Sequence, residues 1–241
     1  MLMSLWTADK GDMTMIFITG DTHGSMGMSR FNMKNFPIQK ELTKDDYMII
    51  CGDFGVVWNG DKEDQYWLNW LHEKNFTICF CDGNHEGHDI LDSLPVSIWN
   101  GGKVHFINDS VIHLMRGQIF NINGKKIFTF GGADSIDKMH RVEGKSWWKR
   151  EMPSHAEYEE GLDNLEKCNF QVDLVISHDC SQSVFETLMA GLWVKNLTSI
   201  NKYFEVLEDR LEYKQWYFGH YHEDRWIDDR HRLIYNDIVL L

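Results

Sequence analysis

Three times along the first part of this chain a short apolar run ends in a glycine-rich block carrying metal-donor side chains. Met15 to Thr19 runs into GDTHG, Tyr47 to Cys51 into GDFG, and Phe76 to Phe80 into DGNHEG. Runs this short, bounded by turn residues and followed by helical or mixed stretches, read as parallel strands of an α/β sheet. The same grammar returns near the C-terminal end, where Val172 to Ile176 leads into SHDC and Gln215 to Phe218 into GHYH. In an open α/β sheet, ligands bind beyond the carboxyl ends of the strands, so all five blocks are expected to converge on one edge.

The stretches between the blocks complete the layout. Lys62 to Lys74 places Tyr66, Trp67, Trp70 and Leu71 at helical spacing, predicting a crossover helix whose aromatics pack into the core. Lys103 to Phe106, Val111 to Leu114, Gly117 to Ile122 and Lys125 to Phe130 read as antiparallel strands, the last two joined by an Asn123-Gly124 hairpin turn. A helix is expected from His155 to Cys168, helical structure up to about Asp209, and late strands at Arg225 to Ile227 and Arg232 to Tyr235. The fold class is α/β, with two sheets and helices outside. Residues 1 to 14 are expected to be an N-terminal extension, and 15 to 241 a single domain with no linker to divide it.

Residues 131 to 155 lose all periodicity, and an irregular segment that long in a compact domain is usually functional or mobile. It is a lid candidate. Its Lys138, Arg141, Lys145, Lys149 and Arg150, beside Trp147 and Trp148, have the chemistry to clamp phosphate and stack on a base. The same residues equally describe a solvated loop with two tryptophans packed beneath it.

Together the blocks supply Asp21, His23, Asp53, Asn84, His178, His220 and His222, with His85 beside them. Imidazole, carboxylate and amide oxygen suit borderline divalent metals such as Mn, Fe or Zn. A bridging carboxylate can hold two such ions roughly 3.5–4 Å apart, and one ion could not use so many donors. In D-x-H and H-x-H the donors are one residue apart, so in an extended segment both would lie on one face. Glycines 20, 24, 52, 83 and 219 permit the tight turns such loops need. Each block alone is a weak signal; the five in order are not.

That ordered set, GDTHG, GDFG, GNHE, SHDC and GHYH, resembles the calcineurin-like metallophosphoesterase family, from Gly20 to His222. The resemblance implies two packed mixed β-sheets forming a sandwich flanked by helices. It also implies two divalent metal ions: Asp21, His23, Asp53 and His222 on one, Asp53, Asn84, His178 and His220 on the other, with Asp53 the bridge. Two cations would polarise the phosphoryl oxygens and activate a water for in-line attack on phosphorus. His85 matches the family histidine that stands beside the metals, in reach of the departing alkoxide as acid. No G-x-S-x-G or C-x5-R pattern argues for a covalent route.

Departures narrow the subgroup. Protein serine/threonine phosphatases continue the second block as G-D-x-V-D-R-G, whereas here Phe54, Gly55, Val56, Val57 and Trp58 follow Asp53. The arginine that reads phosphate and the aspartate that orients the histidine are both missing, leaving His85 without an evident partner. Purple acid phosphatases carry a tyrosine where Val56 stands. What remains resembles the small bacterial or phage-type phosphoesterases and class III phosphodiesterases, pointing to a phosphate-ester substrate, a nucleotide or nucleic-acid end among them. Phosphodiesterase is favoured over phosphomonoesterase; the alternative is a catalytically silent binding or scaffold protein on the same fold.

Charge and cysteine usage set the remaining bounds. A net charge of −13 opposes strong binding to double-stranded nucleic acid or an anionic membrane, although two bound cations would dominate the local field a phosphate ester meets. Five cysteines, none in a C-x-x-C pair, suit a reducing compartment; Cys51 and Cys79, inside apolar runs, read as inert buried thiols. With no secretory leader evident and no stretch of membrane-spanning length, a cytoplasmic location is expected.

Overall fold

Four-residue runs of β-branched and aromatic side chains are too short to bury themselves as helices, and they pair instead. The computed structural model describes residues 14–190 and 197–241, so the expected extension lies almost wholly outside the described residues. In chain order the strands are β1 (Ile16–Thr19), β2 (Tyr47–Ile50), β3 (Thr77–Phe80), β4 (Val96–Trp99), β5 (Gly102–Asn108), β6 (Val111–Leu114) and β7 (Gln118–Ile122). There follow β8 (Lys125–Phe130), β9 (Leu174–Ser177), β10 (Gln215–Phe218), β11 (Arg225–Trp226), β12 (His231–Leu233) and β13 (Ile238–Leu240). The helices are α1 (Lys62–His72), α2 (His88–Ser93), α3 (His155–Lys167), α4 (Gln182–Leu188) and α5 (Ser199–Glu208).

The strands form two mixed sheets, in the orders β13-β1-β2-β3-β6-β5-β4 and β11-β12-β10-β9-β8-β7. Side chains alternate across each strand, and this alternation builds the layers. Ile16 and Ile18 of β1, Ile49 of β2 and Cys79 of β3 meet Phe120, Ile127, Leu174, Ile176 and Tyr217 of the other sheet in a shared core. Phe17, Met48, Ile50, Ile78 and Phe80 point the opposite way, onto Leu68 and Leu71 of α1. On the far side Phe128, Phe130, Val175, Trp216 and Phe218 pack on Leu165 of α3 and Phe204 and Leu207 of α5. The molecule is therefore an α/β sandwich with helices on both outer faces. None of the described helices is long and apolar enough to cross a membrane.

Helix starts follow their caps. Asp61 accepts from the backbone of Glu63 and Asp64 at the head of α1, and Ser154 and Glu157 form a capping box on α3. Asn123 (φ 51°) and Gly124 (φ 74°) close the β7–β8 hairpin as a two-residue turn.

Three expectations need correction. Tyr66 on α1 is 60% exposed, because Leu68 and Leu71, not the full aromatic stripe, face the sheet. The β5–β6 and β7–β8 pairs are each antiparallel but belong to different sheets, and β6 and β8 also pair in parallel with β3 and β9. Residues 131 to 155 are irregular yet built: short 3-10 turns at Lys138–His140 and Lys149–Glu151, and a bridge between Glu143 and Trp147. Trp148 is buried beneath this segment, edge-on to Trp58 and donating its indole N–H to Asp89 at 2.9 Å.

Candidate metal centre

The donor blocks converge on one edge of the sandwich because β1, β2 and β3 run parallel in one sheet, and β9 and β10 in the other. The loops after them interlock through backbone groups. Thr22 and His23 donate N–H to the Asp53 carbonyl at 3.0 and 2.8 Å, and Gly219 donates to the His178 carbonyl at 3.1 Å. Glu86, fully buried, accepts from the N–H groups of Phe54 (2.7 Å) and Gly55 (3.1 Å), so the last letter of GNHE props the GDFG loop. Asp82 anchors the third loop from below through Arg116 Nε at 2.8 Å and His113 Nε2 at 3.2 Å. Although burial opposes it, these partners hold its carboxyl well below the usual range.

Donor atoms of Asp21, His23, Asp53 and His222 all lie within 4.8 Å of one another. His23 and His222 bring their Nε2 atoms to 2.9 Å, and His222 Nε2 stands 3.2 Å from Asp21 Oδ2. Two nitrogens and two carboxylates aimed at one point have the geometry to share a cation. A second group adjoins the first: His178 Nε2 lies 3.3 Å from Asp53 Oδ1 and 3.1 Å from Asn84 Oδ1, with the His220 ring 5.0 Å from that of His178. Asp53 faces both groups, Oδ2 toward His23 at 3.8 Å and Oδ1 toward His178.

The tautomer of His178 is set by its other nitrogen. Nδ1 donates to the Cys51 carbonyl at 2.8 Å, so the neutral ring would carry its lone pair on Nε2, toward the pocket. Burial alone would lower its pKa, but the carboxylates of Asp53 and Asp21 raise it to about 10. For Asp53 burial acts upward and is outweighed by the charge and hydrogen bond of His178, which hold the carboxyl far below its ordinary value. Paired buried carboxylates thus demand positive charge here, which a proton on His178 or bound cations can supply. His23 and His220 are pushed below the ordinary imidazole value by burial, which favours the neutral form a metal needs. By chemistry and placement these residues fit divalent ions.

The structure also corrects how the donors meet. His23 (φ 47°), Asp53 (φ 46°), His220 (φ 70°) and His222 (φ 54°) occupy the left-handed region, so D-x-H and H-x-H are turns and not extended segments. His222 joins Asp21 and His23, while His220 goes to His178.

His85 stands at the edge of the centre, its ring 5.1 Å from that of His23 and stacked on Trp58 at 6.3 Å. The partner the sequence left open is Arg141, whose Nη1 donates to His85 Nδ1 at 3.2 Å. Asp137 Oδ1 accepts from Arg141 Nε at 2.8 Å, and the Ser146 carbonyl from Nη1 at 3.1 Å. Of the other basic residues of this segment, Lys138 pairs with Asp134, Lys149 with Glu143, and Arg150 with Asp92 and Glu157. Ser135 and Glu151, which sequence reasoning passed over, also reach the centre, through Asn84. Their contacts span 51 and 16 residues of chain, and no local pattern marks them.

Residues 14–182 match the calcineurin-like phosphoesterase family, and the chain belongs to it. Among curated proteins it is similar to lariat debranching enzyme A of Xenopus laevis, 23% identical over 190 residues, 70% of this chain and 34% of that protein. It is also similar to the lariat debranching enzyme of Schizosaccharomyces pombe, 25% identical over 180 residues, 67% of this chain and 37% of that protein. The chain thus spans about a third of the length of these relatives. A solved structure, the phosphopantetheinyl hydrolase of Mycobacterium tuberculosis, aligns over 94% of this chain and 91% of its own at 15% identity and a TM-score of 0.47.

Proposed function

We propose that the chain is a two-metal phosphoesterase acting on a phosphodiester, with residues 15 to 241 as one working domain. Asp21, His23, Asp53 and His222 hold one ion; Asp53, Asn84, His178 and His220 hold the other. The observation that carries this reading is the division of the Asp53 carboxylate, one oxygen toward each donor group. Bound there, a pair of divalent ions such as Mn, Fe or Zn supplies Lewis-acid polarisation of the phosphoryl oxygens and a water of lowered pKa. His85, at the rim, is placed to protonate the departing alkoxide; burial and the neighbouring Arg141 lower its pKa, so it takes up that proton once Arg141 turns from its ring to the phosphate. Arg141 donates to the non-reacting phosphoryl oxygens and replaces the phosphate-reading arginine missing from the second block. Trp58 backs the His85 ring and fixes its plane.

Several features support a diester. The relatives are named for debranching, which favours cutting a linkage over removing a terminal group. Val56 and Val57 occupy positions where two monoesterase branches keep a tyrosine or a phosphate-reading arginine. The five thiols are all unpaired, in keeping with a reducing compartment such as the cytoplasm.

The test is hydrolysis of bis-p-nitrophenyl phosphate against p-nitrophenyl phosphate with added manganese. We expect turnover of the diester, its loss in Asp53→Asn, and a kcat reduced about 10²- to 10⁴-fold in His85→Ala with metal still bound. Two ions bound per chain with neither ester turned over would point to a silent binding protein instead.

A further inference from the structure

Asn84 is buried among the candidate ligands, and an amide binds a cation through oxygen alone. Something must therefore choose between its two orientations. Its Nδ2 donates to Ser135 Oγ at 3.1 Å while Oδ1 faces His178 Nε2 at 3.1 Å. Ser135 Oγ in turn donates to Glu151 Oε2 at 2.7 Å, and Ser135 N–H donates to Oε1 of the same carboxylate at 3.3 Å. Burial raises the Glu151 pKa to about 7 while the two bonds from Ser135 pull it back; in the ionised form they favour, the carboxylate only accepts, so the single hydroxyl proton of Ser135 is committed to Glu151. The lone pairs left on Oγ can receive an N–H and nothing else, and so Asn84 must turn its NH₂ outward and its oxygen inward. Ser135 and Glu151 are buried at 2% and 1% exposure, so water does not offer an easy substitute.

The same groups close the 131 to 155 segment. Ser135 lies near its start and Glu151 near its end. Arg116, ion-paired with Asp82 beneath the Asn84 loop, donates Nη2 to the carbonyls of Arg150 (2.9 Å) and Glu151 (3.2 Å). Gly132 N–H donates to the Asp82 carbonyl at 2.9 Å. Both ends of the segment are thus fastened to the loop that carries Asn84.

We propose that Ser135 and Glu151 are positioning residues that orient the Asn84 amide for the second metal position and thereby couple closure of the 131 to 155 lid to occupancy of that position. This rests on the reading of Asn84 as a ligand. When the fastenings of the segment to the Asn84 loop break, the Ser135–Asn84 bond is lost, the amide is free to turn, and the second ion loses a donor; the first ion, held by Asp21, His23, Asp53 and His222, does not.

The experiment is calorimetric titration of manganese into metal-free wild type, Ser135→Ala and Glu151→Gln, with amide hydrogen exchange across 131 to 155 before and after metal. Wild type is expected to bind two ions. Both variants should keep the first ion at wild-type affinity and lose about 10- to 100-fold on the second. Metal should slow exchange of the lid in wild type and not in Ser135→Ala, with equal melting of all three proteins in EDTA confirming an intact fold. Two ions bound at wild-type affinity by both variants, or equal weakening of both ions, would overturn the coupling and leave the metal reading standing. A wild type that binds no ion would overturn both.

Discussion

At Asp53 the backbone turns left-handed, and it does so again at His23, His220 and His222. Such conformations cost about 1–3 kcal/mol each in residues with a Cβ, and they persist where surrounding contacts over-determine them. Here the contacts are close backbone approaches: a Cβ added at Gly52 would run into the His178 imidazole, so the glycine before Asp53 is a space requirement as well as a turn. Arg141 is the residue whose role is most open to measurement. Its guanidinium lies against a histidine and is balanced by Asp137 at the lid, so an arriving phosphate is the partner its remaining donors suit. Removing hydrogen bonds to a charged group costs about 1.5–3 kcal/mol. Arg141→Ala should therefore lower kcat/KM for the diester about 10- to 100-fold, mainly through KM, and Arg141→Lys should recover part of it. An unchanged kcat/KM would remove Arg141 from the substrate's path. The candidate ligands were legible in the sequence because donor type, glycine spacing and strand ends coincide locally. Arg141 was legible as one of five cations, and only the folded segment separates it from Arg150, which is spent on Asp92 and Glu157.

Among the elements, β12 is tied to the end of α5 by one side chain. His231 is buried, its Nδ1 2.7 Å from Asp228 Oδ2 and its Nε2 2.7 Å from Glu208 Oε1 at the end of α5. Burial would lower its pKa, but the two carboxylates win and raise it above 6.5. The sign follows from linkage. The folded state holds this proton more tightly, so the stabilisation is complete below 6.5 and is lost as pH rises through the raised value. His231→Ala should thus cost about 1.5–3 kcal/mol in urea unfolding at pH 6 and distinctly less at pH 9. An equal cost at both values would assign the residue to packing alone. Other elements explain where sequence reading stopped. On β4, Val96 and Ile98 are 54% and 70% exposed, the reverse of the alternation that marks a strand. The helix α2 has six residues, too few for a periodic face, and β13 has three, recognised as a strand through its antiparallel pairing with β1. By contrast β1, β2, β3, β9 and α3 stood out, since pattern, length and capping agreed.

On the scale of the whole molecule the candidate centre is a joint. Asp21, Asp53 and Asn84 follow strands of one sheet, and His178, His220 and His222 follow strands of the other. Without cations, the buried pair Asp21 and Asp53 leans on protonated His178 for balance, and that proton weakens the very donor a metal would use. Divalent ions would replace the proton, satisfy both carboxylates and tie the two sheets at their shared edge. Because the unfolded chain lacks the assembled site, such binding is also folding free energy. An ion at 1,000 times its Kd contributes about 4 kcal/mol. For a chain of this size each kcal/mol shifts Tm by about 2–4 °C. Saturating manganese should therefore raise the Tm of EDTA-treated protein by about 8–16 °C per tightly bound ion, measured by scanning calorimetry. Asp53→Asn faces both donor groups with a neutral amide, so it should lose most of that rise, and its metal-free Tm should fall below that of wild type, because the His178 charge loses its nearest buried carboxylate. A Tm that ignores manganese in the wild type would mean that the hydrogen bonds between strand-end loops hold the edge by themselves and that the donors gather there for another reason.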